Sequence, residues 1–99
     1  MTNDEIRIAI AQACGWHTQK KALGGVFVYY DPRGRMVAAL PDYCNDLNAM
    51  HEVEKTMAHS QTVYQYTVEL DRITNRQEWH ATAHQRAEAF LRTIGKWKD

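Results

Sequence analysis

P-D-Y-C-N-D-L-N-A-M-H-E-V-E-K-T-M, Pro41 to Met57, is the stretch whose reading decides the fold. It reads as a helix set between segments of strand character. Asp42, directly after Pro41, is placed to cap it, because a short carboxylate accepts a bond from an N–H two or three residues on. At about 100° per residue, Tyr43, Leu47, Met50, Val53 and Met57 fall on one arc, the side expected to meet a core. Asn45, Asn48, Glu52, Lys55 and His59 fall opposite, on the side expected to be wet. Two acids project onto the apolar arc. Asp46 lies near the helix start, where the positive end of the dipole favours an anion. Glu54 is mid-helix and needs a cation, a wet edge or a function.

Working outward, Ser60-Gln61 links to a third strand over Thr62–Leu70, where Tyr64, Tyr66, Val68 and Leu70 alternate with Val63, Gln65, Thr67 and Glu69. Asp71 to Ala81 reads as a long irregular segment carrying Trp79 and His80, a candidate binding loop. Within it Trp79 is expected to plug the core. Thr82 with Gln85 forms a capping box for the last helix, whose stripe is Ala83, Ala87, Phe90, Leu91 and Ile94, ended by Gly95. Arg86 projects to the border of that stripe. Its head can therefore reach inward while its stem covers apolar surface. A partly buried ion pair between Glu54 and Arg86, joining the two helices, is the expectation.

Towards the N-terminus, Asp31-Pro32-Arg33-Gly34 has Asp, Pro and Gly at the turn positions that favour each. The turn joins strands Val26–Tyr30 and Arg35–Leu40 into a hairpin. His17 to Gly25 reads as a polar connection. Thr2 and Glu5 form a capping box for a first helix with the stripe Ile6, Ala9, Ile10 and Ala13, ended by Gly15, with Ile8 off the stripe. The order is helix, strand, strand, helix, strand, helix. This is an α+β class: a small, mainly antiparallel three-stranded sheet with helices packed on both faces, in a single domain over 1–99.

The 99 residues carry 12 Lys and Arg against 12 Asp and Glu. A nucleic-acid binder normally has a basic excess to displace counterions, so a nucleic-acid partner is not expected. No apolar run is long enough to span a membrane. The polar N-terminus has no leader-like run, and Cys14 and Cys44 are expected as free thiols in a reducing cytoplasm. Cys44 is expected in a first helical turn, as a filler of the capping region, although the dipole there can lower a thiol's pKa.

Pro41 to Lys55, together with A-T-A-H-Q-R-A-E-A-F-L-R-T-I-G-K-W (Ala81 to Trp97) and Gly15-Trp16, resembles the small proteins grouped as the phage ABA-sandwich domain. The two blocks span about a third of the chain. The resemblance implies helices on both sides of a sheet and a bacteriophage or prophage origin. It implies no activity and brings no site residues.

Catalytic signatures are missing from the chain. His51-Glu52 lacks the second His one turn on that a zinc protease needs, because Lys55 stands there. His80 and His84 are two ligands at most and are expected at the surface. No nucleophile elbow, dinucleotide fingerprint or P-loop occurs. No enzyme activity, cofactor or metal is expected. The expected function is binding: a small phage accessory or counter-defence protein, homo-oligomeric, that sequesters a host protein or an anionic nucleotide signal. The alternative is a structural accessory of virion assembly with no ligand. Sequestration of an anion requires aromatics beside Arg, and Arg72, Arg76, Trp79 and Arg86 are the candidates.

Overall fold

In the computed structural model, which describes residues 1–57 and 60–99, the elements are α1 (Asn3–Ala13), β1 (His17–Leu23), β2 (Val26–Tyr30), β3 (Met36–Val37), α2 (Leu47–Lys55), α3 (Ser60–Thr74), a 3-10 turn (Glu78–His80) and α4 (Ala83–Thr93). The α+β class and the small antiparallel three-stranded sheet are as expected. The strands run in the order β1-β2-β3.

The first strand comes from the segment expected to be a connection. Gly24 and Gly25 have φ of 57° and 83°, the two successive left-handed residues that turn a hairpin in two steps. Leu23 pairs with Val26 directly across them, and Ala22 with Phe27. β2 then turns through Asp31-Pro32-Arg33-Gly34 as expected, with the Gly34 N–H donating to the Asp31 carbonyl at 2.9 Å. β3 ends at Val37 rather than Leu40. Beyond it the chain leaves the ladder, and Arg7 of α1 donates to the carbonyls of Leu40 and Pro41.

The expected strand over Thr62–Leu70 is instead helix α3. Its residues alternate, but Tyr66, Leu70 and Ile73 also stand one and two turns apart, and these are the side chains that go inward. The hydroxyls of Thr67 and Thr74 donate to the carbonyls four residues back, at 2.9 and 2.7 Å, so both are satisfied within the helix. Tertiary packing against α4 overrides the strand propensity. The helix stops at Asn75 and Arg76, both left-handed, and the Arg76 N–H closes on the Asp71 carbonyl at 2.8 Å. The irregular segment is thus shorter than expected.

α2 is also shorter than expected. Asp42 caps a tight turn, accepting through its carbonyl the N–H groups of Asn45 and Asp46. Asp46 is the helix cap, with Oδ1 accepting the Asn48 N–H at 2.9 Å. Tyr43 and Cys44 lie outside the helix yet are buried, and Leu47 is exposed. Met50, Val53 and Met57 are buried as the helical arc requires. The expectation of a wet His59 falls outside the described residues.

α4 is the hub of the molecule. Its buried Ala83, Ala87 and Ala89 let backbones approach closely, and α1, α2 and α3 all pack against it. The capping boxes of α1 and α4 form as expected. α1 is the helix that lies against the strands, at β1, while the other helices pack on one another. Helix-on-sheet layering therefore holds at α1 and gives way elsewhere to helix-on-helix packing. The principal extents are 48 × 26 × 23 Å with a radius of gyration of 14.1 Å, above the roughly 13 Å usual for this length. The extra length fits a hairpin arm that leaves the helical body.

Candidate functional site

The residues expected to bind a partner have separate employments. Arg86 goes inward: its Nη1 donates to Glu54 Oε2 at 2.8 Å and its Nε to the Ala81 carbonyl at 3.2 Å. The Tyr66 hydroxyl donates to the same Glu54 oxygen at 2.5 Å. Burial, then the hydrogen bond to Glu54, push the Tyr66 phenol far above its ordinary value, so it remains a donor. Glu54, Arg86 and Tyr66 thus tie α2, α4 and α3 together, and the pair is architectural. Arg72 is held along its own helix by Glu69 at 2.6 Å, and Arg76 sits in the left-handed turn that ends α3. Trp79 is 70% exposed in the 3-10 turn, beside the His80 ring, and is not the core plug expected. A three-residue turn with no inward apolar anchor holds its ring at the surface.

Cys44 is likewise corrected. It precedes α2 instead of lying in its first turn, and burial pushes its thiol up. No group of three or more His, Cys, Asp or Glu side chains that could hold a metal occurs among the described residues. No helix among them is long and apolar enough to cross a membrane.

The surface that stands out is the arm. Residues directly opposite in a ladder share a face, so Leu23, Val26, Val28, Tyr30 and Met36 lie together on one side, with Lys21 and His17 on the same face opposite Val28 and Tyr30. Val26 is 55% and Met36 60% exposed, Val28 and Tyr30 are half-buried, and among the described residues no helix contacts β2 or β3. Phe27 and Tyr29 point to the other side, where Tyr29 is buried. Phe27 is 60% exposed and borders a groove of about 290 Å³ with Ile8 of α1. The arm is also basic. Residues 17–36 carry Lys20, Lys21, Arg33 and Arg35 against Asp31 alone, in a chain that is neutral overall. Lys21 Nζ lies 5.5 Å from the centre of the Tyr30 ring, beside the apolar strip.

Sequence reasoning missed Leu23 and Met36 as surface residues. The Gly24-Gly25 pair between apolar residues was the available signal, since it marks a two-residue hairpin turn. No family model, curated protein or solved structure matches the chain.

Proposed function

We propose that the chain is a non-enzymatic accessory protein of phage type that captures a host protein on the uncovered face of its hairpin arm. The observation that carries this reading is the strip Leu23, Val26, Val28, Tyr30 and Met36, apolar, without a covering helix and set in a basic stretch. Contiguous exposed apolar surface with a polar rim marks an interaction site. Among the described residues the outer edge of β1 has no strand beside it, so a partner strand can extend the sheet. The basic charge selects the partner: an apolar surface rimmed by Asp and Glu is attracted. Two arms meeting face to face would bring like charges together, and lysines on an edge strand oppose self-pairing.

Photo-crosslinking from position 36, with position 65 on the outer side of α3 as control, tests this. The expected product joins position 36 to one host protein, whose purified form rebinds the chain and loses affinity at least about tenfold to Val26→Ser/Met36→Ser. A crosslinked dimer of the chain itself, equal crosslinking from position 65, or no product overturns it.

A further inference from the structure

A cleft of about 650 Å³ opens where the end of α1, the 31–35 turn and α2 meet, within the size range of small-molecule sites. One wall is ring and hydrocarbon: Trp16, Tyr43, Ala49 and Val53. The turn lines the cleft too, with Arg33 and Arg35.

Asp31 sets that turn. Its Oδ1 accepts the backbone N–H groups of Arg33 and Arg35 at 2.9 and 2.8 Å, and its Oδ2 accepts Arg35 Nε at 2.8 Å. This contact uses one of the five guanidinium N–H groups of Arg35. The others, and the whole guanidinium of Arg33, have no acceptor among the described residues. Glu52 at the rim is already held by Lys55 at 2.9 Å, so it does not stand there as a bare opposing charge.

Tyr43 supplies an independent observation. Its side chain lines the cleft; its hydroxyl makes no hydrogen bond among the described residues and is not sealed from solvent, so it is open to an acceptor there. A phenol hydroxyl at a cavity wall can donate to an acceptor placed in the cavity. Burial pushes the phenol far up, so it offers a proton and not a charge. Cys14, also on the wall, is pushed up by burial and stays a neutral thiol.

An aromatic and hydrocarbon lining, an open phenol donor and two solvent-facing guanidinium groups together suit a ligand with a ring and a charged oxygen group. We propose that this cleft binds a small planar anion, a flat ring carrying a phosphate or a carboxylate. The ring lies against Trp16, Arg33 and Arg35 take the anionic group, and the Tyr43 hydroxyl donates to a ligand oxygen. Asp31 is a positioning residue for the two arginines. The site uses none of the apolar residues of the arm strip, shares Arg33 and Arg35 with the basic stretch of the arm, and does not depend on the protein partner proposed above.

NMR titration of the full chain tests it through the indole N–H resonance of Trp16, with those of Trp79 and Trp97 as internal controls. The probes are AMP (ring and phosphate), indole-3-carboxylate (ring and carboxylate), adenosine (ring alone) and inorganic phosphate (anion alone). AMP or indole-3-carboxylate is expected to shift Trp16 saturably at micromolar to low millimolar concentration, and the one that saturates first identifies the anionic group. Adenosine and phosphate are expected to bind at least about tenfold more weakly. Arg33→Glu should weaken binding about ten- to a hundredfold, as loss of a hydrogen bond to a charged group does. Tyr43→Phe, which keeps the ring, should weaken it several-fold, and Arg72→Glu should change nothing. The proposal is overturned if neither ring-bearing anion saturates, if Arg33→Glu and Tyr43→Phe both bind as the wild type does, or if the larger shifts fall on Trp79 or Trp97.

Discussion

Arg86 and Glu54 stand 32 residues apart in sequence and meet at 2.8 Å between α4 and α2, with side chains only 17% and 22% exposed. Helical angles alone place the two heads on facing borders. The pair is partly buried, so removing one partner leaves the other poorly solvated. Arg86→Met is expected to cost about 3 kcal/mol, the low end for a buried pair because some water reaches it. Combined with Glu54→Gln in a double-mutant cycle of denaturant melts, the coupling should be about 2 kcal/mol. Additive effects would show that the two do not interact.

Tyr66 donates to the oxygen that Arg86 also uses, so the carboxylate is shared by three helices. Tyr66→Phe leaves the ring packed and removes one charge-assisted bond. The expected loss is about 1.5–3 kcal/mol, read as a lower denaturant midpoint at unchanged slope. A midpoint equal to the wild type's would mean the hydroxyl is satisfied by water.

Trp79→Ala is expected to change stability by less than about 0.5 kcal/mol, because the ring stands in solvent. A loss of about 3–5 kcal/mol, the cost of truncating a core aromatic, would place the ring in the core after all. Thermal melts of the two proteins side by side decide it.

Asp31 gives the arm a dependence on acid. Backbone hydrogen bonds from Arg35 lead the effects that hold its carboxyl below the ordinary value of 3.8, and the Arg35 and Arg33 bonds together outweigh burial. A lowered folded pKa means the unfolded chain binds the proton more readily. The stabilisation is therefore complete above the ordinary value and is lost as the pH falls through the folded one. Amide resonances of 31–36 should begin to lose their native dispersion below about pH 4, before those of α4. In Asp31→Asn that early acid step should be missing.

The helices at the two ends were legible because their signals are local. Thr2 with Glu5 and Thr82 with Gln85 form their boxes within one turn, and Gly15 and Gly95 take left-handed φ just past the last turn. The ion pair was legible because angle along a helix is fixed by sequence spacing. α3 was not, since Tyr64, Tyr66, Val68 and Leu70 satisfy a two-residue period while Tyr66, Leu70 and Ile73 satisfy a helical one. Exposed Val63, Tyr64 and Val68 blur the helical stripe further. β1 was not legible either, because a strand in a solvent-exposed arm has no buried face to impose alternation. The arm strip depends on which helices leave it uncovered, and the cleft on three segments brought together from far apart in the chain. Neither relation is present in any local window.

Hydrogen exchange on the purified complex of this chain with its crosslinked host partner tests the arm assignment most directly. The expected result is slowed exchange at amides of β1 and β2 over 19–28 and at Met36, with α3 amides unchanged. Protection confined to α3 or to the 3-10 turn around Trp79, with the arm exchanging as fast as in the free protein, would contradict it.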